Sequence, residues 1–149
     1  MNAKAKVKER AVPETSLQVV ERVFRWFNDL GARKIPLNRS DVERLFSPGL
    51  SLMIDMKVMA KGTDAMVQRM REMLEKTTWW NASPLPFEFC LSERDMAAAY
   101  YQYHFIDPAG ASGKLHIVAI WRVQDGRIAE VKELKQIEQG QIELQQYGN

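Results

Sequence analysis

Three polar side chains lie in or beside apolar, strand-like segments and could take part in proton transfer: His104, Glu133 and Asp55. A carboxylate that orients an imidazole fixes its tautomer and raises its pKa, so a His104–Glu133 pair would form a general base near neutral pH. Asp55 could supply a second carboxylate, whose pKa an apolar pocket would raise. These residue types predict acid–base chemistry that needs no cofactor.

A structural interpretation of the same residues stays open. A histidine on a strand between tyrosines is often a satisfied structural group, and Asp55 also fits a turn at the end of a strand. Glu133 lies in the mixed-charge run at residues 130–135, which is typical of a solvated edge strand with salt bridges. The carboxylates and the histidine are therefore candidates for catalysis, to be judged by where the fold places them.

Other residues near these groups suggest how a ligand would be held. Tyr100 and Gln102 could hydrogen-bond a carbonyl, while Trp121 and Trp80 offer flat apolar surfaces for a ring. His116 is expected on the opposite sheet face from His104, at an interface. Two histidines on opposite faces, with no His-x-His or His-x-x-x-His spacing, predict no metal site.

Composition describes an ordinary globular chain. Its 149 residues fit one domain, with 46% apolar residues, 27% charged residues and a formal net charge of +2. Residues 1–15 carry a cluster of basic side chains and read as a flexible tail, which leaves nucleic-acid binding as the weakest hypothesis. The single Cys90 excludes an internal disulfide, and it reads as a buried, inert thiol. With no secretory signal and no membrane-spanning run, a cytoplasmic protein is expected.

Helical signals dominate the first half of the chain. Thr15 followed by Gln18 predicts a capping box, and Gly31 ends the first helix, whose apolar face includes Val23 and Phe27. Ser40 with Glu43 predicts a second capping box and a short helix. A strand over 50–55 follows, with 56–61 as its continuation or hairpin return. A methionine-rich helix comes next, and an exit loop is expected at 79–84.

Alternating patterns dominate the second half and predict four strands, which cover residues 87–92, 96–106, 114–124 and 127–137. Asp125-Gly126 between two alternating runs is a strong hairpin signal. Helices followed by an antiparallel meander indicate the α+β class. Both faces of the two middle strands are apolar, so the sheet needs a second cover, and we expect a homodimer joined through sheet faces.

Three local segments resemble the NTF2-like superfamily: residues 45–49 before the first strand, 61–66 at the start of the long helix, and 123–130 at the last hairpin. This superfamily includes SnoaL-like polyketide cyclases, ketosteroid isomerases, limonene epoxide hydrolases and non-catalytic transport adaptors. The resemblance covers roughly residues 16–136 and implies an NTF2-like domain over 16–149. The implied fold is an α+β cone, in which a curved antiparallel or mixed sheet wraps N-terminal helices around an internal, mostly apolar pocket.

Aligned with that superfamily, seven residues fall on the inner sheet face: Asp55, Tyr100, Gln102, His104, Ala119, Trp121 and Glu133. The ketosteroid isomerase pattern is kept only in part, since its oxyanion tyrosine falls near Val23 and its acidic partner near Ala119. The epoxide hydrolase cluster falls near His104, Gln102 and Glu133, with none of its identities kept. Glu133 with His104 is similar to the carboxylate and histidine of SnoaL-like cyclases.

The resemblance implies two functions of different kinds. One is a cofactor-free isomerase, cyclase, dehydratase or hydrolase acting on a small hydrophobic or polyketide-like substrate. Its catalytic residues would be His104, Glu133 and Asp55, and its substrate would contact Tyr100, Gln102, Trp121, Trp80, Phe27 and Val23. The other is a non-catalytic module for ligand binding or protein interaction, which the same scaffold also supports. No nucleic-acid or membrane partner is expected for either.

Overall fold

A computed structural model describes residues 12–138 of the chain. Within this part the helices are α1 (Ser16–Gly31), α2 (Arg39–Leu45) and α3 (Gly62–Lys76), and the strands are β1 (Phe46–Ile54), β2 (Lys57–Lys61), β3 (Trp79–Ser83), β4 (Phe89–Glu93), β5 (Met96–Ile106), β6 (Ser112–Gln124) and β7 (Arg127–Ile137). Most of the basic tail expected over 1–15 lies outside the described residues. No helix between residues 12 and 138 is long and apolar enough to cross a membrane.

Helix α1 begins at the predicted capping box. The Thr15 side chain accepts a hydrogen bond from the Gln18 N–H, and the Gln18 side chain accepts one from the Thr15 N–H. These bonds satisfy two backbone groups of the kind that a helix end otherwise leaves unpaired. The helix buries an apolar stripe that includes Val20, Val23 and Phe24 against the sheet.

Helix α2 begins two residues earlier than its sequence suggested. Asn38 is its N-cap, because the side-chain Oδ1 of Asn38 accepts hydrogen bonds from the Ser40 N–H and hydroxyl. The predicted Ser40–Glu43 capping box is therefore wrong. Glu43 instead forms an ion pair with Arg39, one turn before it, at 2.9 Å. Asparagine caps a helix as well as serine does, so the local signal fitted either start.

The strands form one seven-stranded sheet in the order β2-β1-β7-β6-β5-β3, with β4 also paired to β5. The curved sheet is mixed, because β1 runs parallel to β7 while the other pairs are antiparallel. The predicted bounds of β5 and β7 are confirmed, and so is the turn at Asp125-Gly126, where both residues have positive φ. The α+β class, with helices packed in a curved sheet, is confirmed.

The segment predicted as an exit loop after α3 contains strand β3. Its residues pair with the second half of β5, so that Trp80 lies opposite Phe105 and Asn81 opposite His104. Trp80 is completely buried, and its indole N–H donates to the Phe27 carbonyl at 2.9 Å. This strand places α1 against the sheet, and a five-residue strand next to a proline gives little local signal.

Candidate functional site

A cavity of about 130 Å³ lies between α1, α3 and the concave face of the sheet. Most of its lining is apolar and comes from α1, α3, β1, β6 and β7. Five polar side chains interrupt this lining: Arg69, Tyr101, Tyr103, Glu133 and Lys135. Lys135 is exposed, and Arg69 and Glu133 are partly exposed, which places the mouth of the cavity at this end.

Aromatic rings form one wall of the cavity. The ring of Phe24 meets Tyr101 edge to face at 4.9 Å and Trp121 at 5.6 Å between centroids, and Phe27 lies 6.0 Å from Phe24. Such pairs hold each ring in one orientation. Three predicted substrate-binding residues, Val23, Phe27 and Trp121, do line this cavity. The wall provides a rigid apolar surface against which a ring could pack.

Glu133 is the only carboxylate among the residues that line the cavity. The Tyr101 hydroxyl donates a hydrogen bond to its Oε1 at 3.4 Å. Burial raises the pKa of Glu133 above its usual value, while positive Arg69 and the Tyr101 hydrogen bond act in the opposite direction. Burial and negative Glu133 raise the pKa of Tyr101 well above its usual value, so Tyr101 stays protonated. The pair combines a proton acceptor with a fixed donor.

Tyr103 and Arg69 provide two further donors at the cavity. Within residues 12–138 neither side chain forms a hydrogen bond or an ion pair, although both line the cavity. Burial raises the pKa of Tyr103, and the charges of Arg69 and Arg33 act against that rise. Both groups are therefore donors, one neutral and one cationic, with their hydrogen-bonding capacity unused by the described residues.

Asp55 lies outside the cavity. It occupies the turn between β1 and β2 with φ of 49°, next to Met56 with φ of 70°, and its side chain is exposed. Two positive φ values in a row are typical of a tight hairpin turn, which explains an aspartate here. Its carboxylate accepts the Lys135 N–H at 3.0 Å, and its own N–H donates to the Glu133 carbonyl at 2.9 Å. Asp55 therefore holds the β7 segment that carries Glu133.

The predicted inward orientation of Tyr100, Gln102 and His104 is wrong. Tyr101 and Tyr103 point into the cavity, so the residues that alternate with them lie on the outer face. Pairing confirms this phase, because Tyr101 lies opposite the cavity residue Ile117. His104 and Glu133 are consequently on opposite faces of the sheet, and the predicted catalytic pair does not form.

The outer face has a polar network of its own. The Tyr100 hydroxyl shares a 2.5 Å hydrogen bond with His116 Nδ1, and His116 Nε2 lies 3.3 Å from a Glu138 oxygen. His116 is on the outer face, as predicted, but His104 is on that face too, so the prediction that the two histidines lie on opposite faces is wrong. Partial burial and the positive charge of Lys114 lower the pKa of His104, which favours a neutral imidazole there. These groups stabilise the sheet surface and do not contact the cavity.

Trp80 lies behind the cavity wall and does not line it. Its ring packs on Phe27 at 5.1 Å, with the Arg33 guanidinium 5.3 Å from its centroid. Arg33 also donates to the carbonyls of Leu74 and Thr77, which joins α1 to the end of α3. Trp80 therefore supports Phe27, a residue that does line the cavity.

Four polar residues of the site did not emerge from the sequence: Tyr101, Tyr103, Arg69 and Lys135. A signal existed for the tyrosines, since they alternate with the more polar Gln102 and His104. Arg69 lies among the methionines that form the apolar face of α3, where a cation is unusual. Within the described part of the chain, no group of three or more His, Cys, Asp or Glu could hold a metal ion.

Comparisons with known proteins agree with this architecture. The family model of the SnoaL-like domain matches residues 20–131. Among curated proteins, no sequence matches the chain significantly.

Three solved structures illustrate the fold. A LEH-like epoxide hydrolase from M. tuberculosis is 14% identical, with a TM-score of 0.65 over 83% of this chain and 86% of the other. A proposed SnoaL-like polyketide cyclase from Jannaschia sp. CCS1 is 16% identical, with a TM-score of 0.62 over 85% and 90%. IdmH, a proposed polyketide cyclase from Streptomyces antibioticus, is 11% identical, with a TM-score of 0.65 over 82% and 92%. At these identities the likeness concerns the fold.

Proposed function

The chain belongs to the SnoaL-like domain family, and we propose that it is a cofactor-free acid–base enzyme in which Glu133 moves a proton on a small cyclic substrate. The observation that carries this proposal is the position of Glu133 in the cavity, with its pKa raised by burial and its carboxylate hydrogen-bonded to Tyr101. A raised pKa makes a carboxylate a stronger general base. Proton-transfer chemistry also suits the cyclase and epoxide hydrolase names of structural neighbours.

The arrangement suits proton removal next to a carbonyl. Glu133 would take a proton from the carbon beside the carbonyl, and the C–H electron pair would form the enolate. The Tyr103 hydroxyl, which has no other partner among residues 12–138, would donate a hydrogen bond to the developing oxyanion. Protonated Glu133 would then return the proton to the same or a neighbouring carbon. Tyr101 acts as a positioning residue, because its hydrogen bond orients the carboxylate.

Cavity size limits the substrate. A volume of about 130 Å³ is close to the ~150 Å³ of an engineered cavity that binds benzene, whereas drug-sized pockets span roughly 300–1,000 Å³. A single five- or six-membered ring fits the enclosed space, and larger substituents would extend through the mouth. This size favours the small hydrophobic end of the substrate range that the family resemblance implies.

An exchange experiment tests the proposal without a known substrate. Cyclohexanone, a single-ring ketone, is incubated with the protein in D₂O, and loss of its α-proton signal is followed by NMR. Glu133→Gln should lower the protein-dependent exchange rate by about 100-fold or more, the usual contribution of a general base. Glu130→Gln is the matched control, because Glu130 lies on the same strand, paired opposite Arg122 and in an ion pair with it.

Two outcomes would contradict the enzyme proposal. Equal exchange rates for the wild type and Glu133→Gln would remove Glu133 from the chemistry. Binding of cyclohexanone with no exchange above the buffer rate would favour the alternative, a module that retains an apolar ligand without turnover. Thermal unfolding of each variant shows whether a lost rate reflects lost chemistry or lost structure.

We also propose that the outer sheet face joins two copies of the chain. Four of its apolar side chains are more than half exposed: Phe89 (67%), Leu91 (77%), Val118 (53%) and Leu134 (58%). Phe89, Val118 and Leu134 lie side by side across β4 to β7, with Tyr100 between the first two. A contiguous apolar surface of this kind is typical of an interaction site.

Charges beside this apolar surface fit a second copy of the same chain. Arg122 forms ion pairs with Asp95 at 3.0 Å and Glu130 at 3.4 Å, so the border carries both signs. A surface with balanced charges can face its own copy across a two-fold axis without like-charge repulsion. Light scattering coupled to size-exclusion chromatography measures the predicted dimer directly, and a monomer mass at micromolar concentration would refute it.

A further inference from the structure

The residues that line the cavity carry a net positive charge. Two cations, Arg69 and Lys135, line it together with one carboxylate, Glu133, so the lining has a net charge of +1 when Glu133 is ionised. The nearby Asp55 carboxylate is exposed and hydrogen-bonded to the Lys135 N–H, on the solvent side of the strand end. An excess positive charge at an apolar cavity is stabilised by an anion.

Arg69 differs from neighbouring arginines in having no hydrogen-bond or ion-pair partner within residues 12–138. Arg71, two residues later on α3, bonds Gln68 on the helix surface, and Arg33 donates to three backbone carbonyls. A guanidinium presents a planar fork of donors that matches a carboxylate. Partly buried at the cavity, Arg69 therefore has its carboxylate-binding donors available.

Tyr103 lines the same cavity as Arg69. Tyr103 is only 8% exposed, it lines the cavity, and its hydroxyl has no partner among the described residues. Arg69, Tyr103 and Glu133 line the same cavity, and the positive charge of Arg69 opposes the rise in the pKa of both Tyr103 and Glu133. A neutral donor and a cationic donor thus face one space, with the carboxylate of Glu133 beside them.

We propose that the cavity binds a single-ring carboxylic acid, with the ring against the aromatic wall and the carboxylate on the Arg69 guanidinium, which leaves the Tyr103 hydroxyl for the developing oxyanion. This inference rests on the proposed function, because it names the substrate class of the same site. The ligand carboxylate would neutralise the surplus charge of the lining. It would also fix the ring relative to Glu133, which aids proton transfer by holding the reacting carbon in reach.

Benzoate and benzamide separate charge recognition from ring recognition, because they share a ring and nearly a shape but differ in charge. Binding of each is measured by calorimetry at pH 7.5. Wild-type protein should bind benzoate at least tenfold more tightly than benzamide, the size of one charge-assisted hydrogen bond. Arg69→Met should weaken benzoate binding at least tenfold and change benzamide binding less than threefold.

Matched variants control for structural effects. Arg71→Met removes an equal charge from the exposed side of α3 and should leave benzoate binding unchanged. Arg69→Lys keeps the charge without the planar fork and should bind benzoate more tightly than Arg69→Met. If Arg69→Met fails to fold, Arg69→Lys and the benzoate-to-benzamide ratio of the wild type still decide the question.

Equal affinity for benzoate and benzamide in the wild type, or no binding of either, would overturn the proposal. So would equal effects of Arg69→Met and Arg71→Met on benzoate binding. Glu133→Gln separates this inference from the proposed function, since it should abolish exchange of cyclohexanone and keep or strengthen benzoate binding. A benzoate preference without any exchange would refute the proton-transfer function and leave the carboxylate site standing.

Discussion

Replacing Glu133 by glutamine should make the protein more stable at neutral pH than the wild type. Burial raises the pKa of Glu133 above its usual 4.5, so the folded state binds this proton more tightly than the unfolded state does. The protonated carboxyl therefore contributes its full stabilisation below pH 4.5, and this contribution is lost as the pH rises through the folded-state pKa. Glutamine has nearly the same shape and no charge, so the variant escapes that loss.

The structure indicates a modest effect. The hydrogen bond from Tyr101 is long, at 3.4 Å, and contributes about 0.5 kcal/mol, the low end of the usual range. Arg69 and Lys135 line the same cavity and offset part of the cost of burying the carboxylate. An incompletely compensated buried polar group costs about 1–3 kcal/mol, so we expect the variant to be more stable by about 1–2 kcal/mol at pH 7.5.

Urea denaturation of both proteins between pH 4 and 8 measures this difference. The free energies of unfolding should be nearly equal at pH 4 and should separate as pH rises above 4.5, in favour of Glu133→Gln. Titrations of other groups cancel in the difference if they do not contact Glu133. A difference that is the same at every pH, or a variant less stable than the wild type at pH 7.5, would refute the raised pKa and with it the basis for a general base.

Three further predictions concern the scaffold and the dimer. Because Asn38 caps α2, Asn38→Ala should lower the free energy of unfolding by about 1 kcal/mol, and Ser40→Ala should lower it by less than half of that. Urea denaturation measures both effects, and the reverse order would restore Ser40 as the cap. Gly31→Ala would place a Cβ 2.4 Å from the Trp80 ring and 2.5 Å from the Trp80 carbonyl oxygen. This overpacking should lower the free energy of unfolding by about 1–3 kcal/mol, and Tm by roughly 2–4 °C for each kcal/mol. An unchanged melting curve would contradict this packing. Val118→Lys should yield a monomer by light scattering, and a persistent dimer would move the interface elsewhere.

Local signals predicted most of the elements, because each of those signals has a direct structural cause. The Thr15–Gln18 capping box and the Asp125-Gly126 turn act through bonds and φ values within a few residues. The long strands β5 and β7 show alternation over eleven residues each, and their predicted bounds are those of the structure. Strand β3 escaped detection because it has five residues and depends on pairing with the distant second half of β5.

The face of a strand is harder to predict than the strand itself. In β5 both sets of alternating residues contain aromatic side chains, so burial alone could fit either set. Polarity favoured Tyr101 and Tyr103 as the inner set, since Gln102 and His104 alternate with them. Alignment by resemblance gave the opposite phase, and a shift of one residue exchanges the two faces completely. Three predicted site residues, Tyr100, Gln102 and His104, lie outside the cavity because of this one-residue shift.

The position of Glu133 shows why a site carboxylate can look like a surface residue. Its mixed-charge run suggested a solvated edge strand, yet β7 lies inside the sheet, between β6 and the parallel strand β1. Parallel pairing of β1 with β7 joins segments about eighty residues apart, and no local sequence pattern predicts this pairing. That pairing places Ile54 opposite Glu133 and brings both to the cavity lining. The environment that raises the pKa of this carboxylate thus arises from topology, so any change that loosens β1 from β7 should lower that pKa toward its usual value.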